Sequence, residues 1–412
     1  MSVLLFSGGR GNRTLLESIS ADEHAVFPKL QVVVNGLDDG ASTGSIRELF
    51  DNGMHGISDF FKVGIAMSPN SQLKIVLEKR LPVLETIEDQ LNFAKNLHDF
   101  LLLSNNFFIF DEIDLNDSIR KDIKKHILNF VDYFYKKNRF VVNLSDFKIG
   151  NIVFASMYIN ANFNFYETLS VFLKFSQIDR NVFDILQSSE HNSYLVGVLK
   201  SGQLLPNEAA VVLTRTTDII EDTFQINKPL SVENIRDICS KELEDKLYVL
   251  NRSQFIPPAN SELIKSINNS EAIIYGAGTP YSSLLPSLEL TGVADAIKNV
   301  NCKKILVVNL SKETSNTLFV TDILDSLMKY LLRSFSDPSS FNPEDFLTHI
   351  VVPFDNIDIN NLLDEIKLDI SEISKRYNWV EVIQSDIRDL SNSSQHDGEK
   401  LKNCLIKILD KE

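Results

Sequence analysis

Cysteine is scarce in this sequence. Only three cysteines occur among 412 residues, and Cys239, Cys302 and Cys404 lie far apart along the chain. They form none of the closely spaced pairs that are typical of zinc sites or redox motifs. The scarcity excludes a small scaffold held together by disulfides, and it predicts reduced core cysteines in a protein of the cytoplasm.

Long apolar runs and an excess of positive charge are also missing. The first apolar run, residues 3–6, stops before Gly8, and no run approaches the roughly 20 residues of a membrane-spanning helix. The chain carries 41 Lys and Arg against 56 Asp and Glu, which gives a net charge of −15. Nucleic acid and anionic lipid would repel such a chain. We therefore expect a cytoplasmic protein without nucleic-acid or membrane partners, in which an anionic ligand requires a local positive site.

The remaining composition is ordinary for a globular protein, with 43% hydrophobic and 24% charged residues. Length alone allows either one large domain or two. Short apolar runs that lead through glycine-rich loops into helical patterns favour an α/β fold. We predict a single α/β domain over residues 1–412, with a helical insertion at 81–140 and a β-rich excursion at 193–256.

Two patterns define those internal segments. In the insertion, apolar residues recur three and four positions apart at 84–101 and again at 119–134, which predicts two amphipathic helices. In the excursion, short apolar runs at 194–199 and 209–214 are separated by the turn residues Ser201-Gly202 and Pro206-Asn207. These signals predict a small antiparallel sheet that contains both runs.

A pair of acids follows an apolar run in the first part of the chain. Val32-Val33-Val34 is typical of a buried parallel strand, and Asp38 and Asp39 come shortly after it. The next residues supply flexible backbone, N–H donors and hydroxyls, with Ser42, Thr43 and Gly44 as candidate ligand contacts. Such a loop can hold a phosphate, a ribose or a metal. The alternative is an ordinary turn in which Ser42 or Thr43 caps the next helix.

A glycine-rich loop also follows the first apolar run. Glycines let the backbone approach a ligand closely, and the free N–H groups of the following helix face it, so phosphate is the natural guest. The candidate contacts in this loop are Gly8, Gly9, Gly11 and Asn12. Together with the later acids the loop imitates a dinucleotide fingerprint, as in a nicotinamide-dependent oxidoreductase. However, Thr14 occupies the third glycine position.

A second glycine-rich loop begins after the apolar run 272–275. Its glycines and hydroxyls favour an anion or nucleotide cradle, and its tyrosine ring could stack on a base or sugar. The candidate contacts are Gly276, Gly278, Thr279, Tyr281 and Ser282. The next apolar run, 304–308, ends at another polar candidate, Asn309. Because ligands bind at the carboxyl ends of strands in parallel sheets, these loops are expected to share one edge. A nicotinamide-dependent oxidoreductase leaves this second loop without a role.

Three further positions each allow two interpretations. Asp59, in the Gly56-Ile57-Ser58-Asp59 loop, is either a helix cap or a ligand group. Asn151 follows Gly150 at the start of an apolar helical stretch and either faces a ligand or caps that helix. His396 next to Asp397 suggests a catalytic pair, but capping by Asp397 is the more ordinary role for an acid before a helix.

The motifs, taken in order, resemble those of the superfamily that joins 2-phospho-L-lactate transferase (CofD) with gluconeogenesis factors of the YvcK type. The matching segments, all read from the sequence, are 7–11, 38–44, 56–59, 149–152, 276–283, 308–310 and 396–397. The resemblance implies a Rossmann-like, mainly parallel sheet flanked by helices. It also implies that the glycine loops hold a guanosine nucleotide, as in the transferases, or a UDP-sugar, as in the regulators.

For function, the resemblance implies a Mg²⁺-dependent transferase that moves a phosphate-linked group from a nucleotide-diphosphate donor to a hydroxyl acceptor. Asp38, Asp39 and Asp59 would be the catalytic acids, and Asp38 and Asp39 would bind the metal. The alternative is a regulator that binds a nucleotide-sugar without turnover. The sequence identifies neither the acceptor nor the base, and it is compatible with a homo-oligomer.

Overall fold

A computed structural model describes residues 2–8, 11–22, 27–51, 53–93, 110, 113–136, 144–213, 218–310, 319–354, 368–392 and 394–410. The chain divides into two compact units. The first unit comprises Met1–Leu37 and Asn181–Glu412, and the second comprises Asp38–Arg180. The single domain over 1–412 and its segments at 81–140 and 193–256 stay predictions.

All strands of the described residues belong to the first unit. They are β1 Ser2–Phe6, β2 Lys29–Val34, β3 Phe183–Gln187, β4 Tyr194–Leu199, β5 Leu204–Leu205, β6 Ile220–Ile226, β7 Ala272–Tyr275, β8 Lys303–Val307, β9 His349–Pro353 and β10 Glu381–Ser385. Seven of them form a parallel sheet in the order β10-β9-β8-β7-β1-β2-β3. The other three form an antiparallel sheet in the order β5-β4-β6.

Besides a short helical stretch at 87–93, the α-helices of the described residues fall in both units. In chain order they are α1 Arg13–Ser20, α2 Ala41–Leu49, α3 Ser58–Met67, α4 Ser71–Glu78, α5 Asp117–Lys136, α6 Ile149–Asn160, α7 Phe165–Phe175, α8 Glu208–Leu213, α9 Val232–Cys239, α10 Leu243–Arg252, α11 Ser261–Asn268, α12 Leu285–Leu288, α13 Val293–Asn299, α14 Val320–Ser334, α15 Ile370–Arg376 and α16 Gly398–Leu409. Helices α2 to α7 belong to the second unit. Within the described residues, no helix is both long enough and apolar enough to cross a membrane.

The parallel sheet positions the two glycine loops. The apolar runs that predicted strands are buried along their length, as expected for strands covered on both faces. From β1 the chain builds outwards to β2 and β3, and it later returns to β7 on the other side of β1. The loops after β1 and β7 therefore leave neighbouring strand ends at the point where the strand order reverses, which is where such sheets bind ligands. The predicted fold class is confirmed.

The small antiparallel sheet is confirmed, but one of its predicted strands is wrong. Residues 208–213 form helix α8, and β4 pairs instead with β5 and with β6, from Ile220 to Ile226. The side-chain Oδ1 of Asn207 accepts a hydrogen bond from the backbone N–H of Ala210 at 2.8 Å. This cap starts the helix, which buries Val211 and exposes Leu213. A short apolar run is compatible with a strand or a helix, and here the Asn207 cap favours the helix.

The second unit is helical and is organised around α6. Every residue of this helix from Ile149 to Tyr158 is buried, and α3, α4, α5 and α7 all contact it. A Cβ on Gly150 would lie 1.9 Å from the ring of Phe61, so the glycine permits a close approach of α3. The helix predicted at 119–134 is confirmed as α5. Of the one predicted at 84–101, residues 87–93 are helical and 94–101 lie outside the described residues.

The three cysteines are free thiols in different surroundings. Cys404 is buried, Cys302 is partly buried and Cys239 is exposed. The expectation of core cysteines is therefore wrong for Cys239, which ends α9 at the surface.

Candidate functional site

The loops that follow β1 and β7 are bonded directly to each other. The backbone N–H of Gly276 donates to the carbonyl of Phe6 at 2.9 Å. The Asn12 amide donates to the carbonyl of Ala277 at 2.8 Å and to the hydroxyl of Ser7 at 3.0 Å. Asn12 is buried, so these bonds are shielded from water. One predicted ligand residue thus holds the two loops together.

Glycine is required at this junction because the neighbouring atoms lie too close for a side chain. A Cβ on Gly11 would lie 2.3 Å from the carbonyl oxygen of Ala277, and one on Gly276 would lie 2.4 Å from the Asn12 amide nitrogen. A Cβ on Gly8 would lie 2.1 Å from the Cβ of Ser283. Each distance is well inside van der Waals contact, so only hydrogen fits. The predicted contact Gly9 lies outside the described residues.

Asn309 shapes the second loop. Its side-chain oxygen accepts from the N–H of Gly278 at 2.9 Å, and its side-chain nitrogen donates to the carbonyl of Gly278 at 2.7 Å. The amide therefore pairs with Gly278 as a neighbouring strand would. A direct contact between Asn309 and a ligand stays a prediction.

A turn of π-helix, Pro280–Leu284, follows Thr279. Its carbonyls are held by Asn35, at the end of β2, whose amide nitrogen lies 2.7 Å from the oxygen of Ser283 and 3.1 Å from that of Ser282. Sequence reasoning did not single out Asn35 as a functional residue. The sequence showed only that Asn35 follows a buried strand directly and therefore lies at the carboxyl edge of the sheet.

Tyr281 packs into the core instead of standing over the cleft. It is 7% exposed, its hydroxyl lies 3.2 Å from that of Ser326, and its ring meets Tyr330 edge to face. Ser282 is also buried. Stacking on a base by Tyr281, and ligand contacts from Thr279 and Ser282, stay predictions.

The two loops open onto a cleft of about 490 Å³ in the first unit. Its lining residues are Gly11, Arg13, Thr14, Ala277, Gly278, Asn309, Leu310, Ser394, Gln395 and His396. Arg13 begins α1 and is half-exposed, with its Nε 2.8 Å from a carboxylate oxygen of Glu17. A guanidinium beside the positive end of a helix dipole gives this acidic chain a local site for an anion.

His396 is one of several lining residues that the site prediction omitted. It is 5% exposed, its Nε2 lies 3.0 Å from the carbonyl oxygen of Val308, and its own carbonyl accepts from the hydroxyl of Thr14 at 2.9 Å. Burial lowers the pKa of His396 to about 4, so the ring is neutral at pH 7. The neighbouring Asp397 caps α16 by accepting from the N–H of Lys400, which confirms the capping alternative.

The predicted acids lie together in the second unit. One carboxylate oxygen of Asp38 accepts from the N–H of Gly40 at 3.1 Å, and the other lies 3.3 Å from the hydroxyl of Thr43. The hydroxyl of Thr43 therefore donates to Asp38 and does not cap α2, whose N-cap is Gly40. A Cβ on Gly56 would lie 2.2 Å from the carbonyl oxygen of Asp38, so this glycine lets the loop before Asp59 pack closely against Asp38.

The charged neighbours of Asp38 shift its pKa in opposite directions. Burial and the negative charge of Asp59 raise the pKa of Asp38, while Lys62 acts in the opposite direction. Lys62 lies 2.8 Å from the carboxylate of Asp59, which sits in the first turn of α3 and does not cap it. Two carboxylates with one nearby ammonium leave negative charge that a cation would stabilise.

Arg47 fixes the second acid of the pair. Its side chain is fully buried, and its Nη1 lies 3.4 Å from the carbonyl oxygen of Asp38 and 3.9 Å from the carboxylate of Asp39. Burial raises the pKa of Asp39, and Arg47 counteracts that rise. The sequence put Arg47 one helical turn after the loop, but only the fold shows that it points inwards.

The remaining predicted contacts of the second unit are less informative. Asn151 is buried in α6, whose N-cap is Lys148, so the capping alternative for Asn151 is wrong. Gly44 packs against the loop, since its Cβ would lie 2.7 Å from the carbonyl oxygen of Asp39. Ser42 lies in the first turn of α2. Ligand contacts from all three stay predictions.

The donor set can be tested against the implied Mg²⁺. Among the described residues, no group of three or more His, Cys, Asp or Glu side chains is placed to hold a metal. Mg²⁺, however, commonly binds through one or two carboxylates and completes its shell with water and substrate phosphates. The like charges of Asp38 and Asp59 and the nearby Asp39 fit that mode, so the acids suit a hydrated Mg²⁺.

The raised pKa of Asp38 gives a stability prediction. The native state binds the proton of Asp38 more tightly than the unfolded chain does. Below the unfolded pKa of about 3.9 the carboxyl is protonated in both states, so its burial does not lower the free energy of unfolding. Above the native pKa the buried group is charged, and the full cost of burying that charge lowers the free energy of unfolding. In buffer with EDTA, Asp38→Asn should therefore unfold at higher urea concentration than the unsubstituted protein at pH 8, with the gap shrinking towards pH 4. A gap that does not change with pH would contradict this electrostatic account.

Comparison with known proteins defines the family. Residues 3–388 match the family model described as 2-phospho-L-lactate transferase CofD. This chain belongs to the CofD family. The predicted resemblance is therefore confirmed, and it rests on nearly the whole chain.

Relatives of this CofD-family chain include proteins named gluconeogenesis factor. One from Bacillus subtilis is 24% identical over 235 residues, which are 51% of this chain and 72% of the relative. One from Listeria monocytogenes is 24% identical over 213 residues, 45% of this chain and 64% of the relative. A putative gluconeogenesis factor from Thermotoga maritima is 36% identical over 75 residues, 18% of this chain and 24% of the relative. The chain thus spans less than two thirds of the last two relatives.

Two crystal structures of a Bacillus halodurans protein share the fold. One, described as a member of the UPF0052 family, has a TM-score of 0.64 at 17% identity and covers 98% of each chain. The other has a TM-score of 0.65 at 16% identity and covers 98% of this chain and 99% of that one. At this identity the likeness shows the fold of the CofD-family chain alone.

Proposed function

We propose that this protein transfers a phosphate-linked group from a nucleotide-diphosphate donor to the hydroxyl of a small-molecule acceptor, with Mg²⁺. The observation that carries the proposal is the junction of two glycine loops at the switch point of the sheet. There Gly8, Gly11 and Gly276 admit no side chain, and the cleft of about 490 Å³ opens beside them. Membership of the CofD family supports the same reaction class.

Each part of the chain has a defined task in this reaction. The cleft of the first unit binds the nucleotide diphosphate, with Arg13 and the start of α1 facing its negative charge. In the second unit, Asp38 and Asp39 would hold Mg²⁺, which would supply positive charge for phosphate chemistry. One of the acids Asp38, Asp39 and Asp59 accepts the proton of the acceptor hydroxyl as its oxygen attacks phosphorus and the bond from phosphorus to the nucleotide portion breaks.

A second candidate function is regulation without turnover. The proteins from Bacillus and Listeria are named gluconeogenesis factors, and the Asp-Asp-Gly-x-Ser-Thr-Gly run at 38–44 resembles the regulatory branch of the superfamily. In this alternative the same cleft binds a nucleotide-sugar, and the protein responds to its occupancy.

A ligand screen separates the candidates. Melting temperature is measured with GDP, GTP, UDP, UDP-N-acetylglucosamine and NADH, each with Mg²⁺ or with EDTA, because a ligand that binds the native state raises it. We expect a rise with a guanine or uridine nucleotide diphosphate that is larger with Mg²⁺, and we expect Asp38→Asn to lose the Mg²⁺-dependent part. If NADH alone stabilises the protein, the proposed reaction class is wrong.

Product analysis then distinguishes transfer from regulation. The stabilising ligand is incubated with the protein and a panel of small hydroxyl compounds, and the nucleotides are separated by chromatography. Release of a nucleotide that depends on one acceptor supports the transferase. A ligand that binds tightly and stays intact with every acceptor favours the regulator.

A further inference from the structure

We infer that His396 is a specificity-determining residue that accepts a hydrogen bond, through Nδ1, from an N–H or O–H group on the nucleoside part of the ligand. The inference rests on the proposed function, because it concerns the occupant of the same cleft. The nucleoside would then lie near residues 394–396 of the cleft, away from the glycine junction.

The backbone fixes which nitrogen of the ring is protonated. Nε2 lies 3.0 Å from the carbonyl oxygen of Val308, and a carbonyl can only accept, so Nε2 carries the hydrogen. In a neutral ring Nδ1 is then an acceptor. The low pKa of His396, caused by burial, keeps the ring neutral at physiological pH.

The surroundings of the ring leave that acceptor for a ligand. The hydrogen bonds of His396 in the described part of the chain are the bond from Nε2 to Val308 and the bond from the Thr14 hydroxyl to its backbone carbonyl. The positive charge of Arg388 also acts on the ring and favours its neutral form. Nδ1 accepts no hydrogen bond from the described residues, and it is also absent from the buried polar atoms that lack a partner, so it is accessible from the cleft. Because His396 lines the cleft, the exposed part of this nearly buried residue faces the space where the ligand binds.

Chemistry then selects the ligand group. In a donor whose diphosphate is esterified at both ends, the phosphate oxygens carry no hydrogen at neutral pH, so this diphosphate offers no donor to a neutral imidazole nitrogen. Ribose hydroxyls and the N–H groups of a base do donate. Arg13, at the start of α1 in the same cleft, is the group suited to the diphosphate.

The test compares His396→Gln with the unsubstituted protein. The longer amide of glutamine reaches the position of Nε2 and can still donate to Val308, but it offers no acceptor at the position of Nδ1. We measure dissociation constants for GDP, UDP and inorganic pyrophosphate by calorimetry. For the nucleotide that binds, affinity should fall by about 3- to 10-fold, as expected for one net hydrogen bond, while pyrophosphate affinity stays unchanged.

The control is His191→Gln, a change at an exposed histidine of the first unit, which should leave every constant unchanged. The 2′,3′-dideoxy form of the nucleotide distinguishes the donors. If ribose donates, His396→Gln causes no further loss with this analogue, and if the base donates, the full loss remains.

A second measurement is independent of affinity. In ¹⁵N spectra of histidine-labelled protein, the signal that disappears in His396→Gln should show a protonated Nε2, and its Nδ1 shift should move upfield with nucleotide but not with pyrophosphate. Nucleotide binding that is unaffected by His396→Gln overturns this inference and leaves the proposed function standing. A protein that binds pyrophosphate but no nucleotide overturns both.

Discussion

Gly11→Ala should abolish nucleotide binding. The new Cβ would lie 2.3 Å from the carbonyl oxygen of Ala277 and 2.6 Å from the Cα of Gly278, so backbone rather than a flexible side chain must move. Relief of the clash requires the two loops to move apart, and a displacement of about 1 Å in an active site can cost about 100-fold in catalytic rate. We expect at least that loss in nucleotide affinity, measured by calorimetry.

The matched control adds the same methyl group elsewhere in the first unit. The three atoms nearest to a Cβ on Gly197, in β4, would be side-chain methyl carbons of Thr223, Val211 and Leu205, at 3.3 to 3.4 Å. Gly197→Ala should therefore keep nucleotide affinity within about 2-fold, because side chains can give way where backbone cannot. Normal binding by Gly11→Ala would show that the glycine junction does not form the ligand site.

Asp38→Asn should abolish turnover while leaving nucleotide binding largely intact. The amide is isosteric with the carboxylate and still accepts from the N–H of Gly40, so the loop keeps its shape. It carries no charge for Mg²⁺ and cannot take a proton from an acceptor hydroxyl. The loss of general-base action alone is worth about 100- to 10,000-fold in rate, measured as product formation under saturating nucleotide.

The comparison for this change is Asp146→Asn, in the same unit. Asp146 is exposed and pairs with Arg80 at the surface, where such pairs contribute little to stability. Its replacement should leave both turnover and binding unchanged. If Asp38→Asn loses nucleotide binding together with turnover, the acid is structural and not catalytic.

The parts of the fold that the sequence predicts are those encoded by neighbouring residues. Three consecutive valines before a polar loop, or glycines directly after an apolar run, indicate a buried parallel strand that ends at a ligand-binding edge. The order of these loops also identified the family. The helix at 208–213 was mistaken for a strand because a six-residue apolar run carries no periodicity that separates the two.

Two of the residues that sequence reasoning missed, Asn35 and His396, act across long separations in the chain. Asn35 holds the carbonyls of Ser282 and Ser283, and Arg47 is recognisable only once α2 is seen to turn it inwards. His396 joins the cleft because α16 follows a loop that returns to Thr14. No local pattern reports which distant backbone a buried polar side chain will meet.

The second unit interrupts the first between β2 and β3, and this has a consequence for synthesis on the ribosome. The second unit is one continuous segment, so it can fold as soon as it has emerged, whereas β1 and β2 must wait for β3 and β7 to arrive. Pairing between such distant strands is slow. During that wait the two N-terminal strands expose apolar faces and unpaired edges, so the nascent chain is most prone to aggregation before the cleft beside the glycine loops has formed.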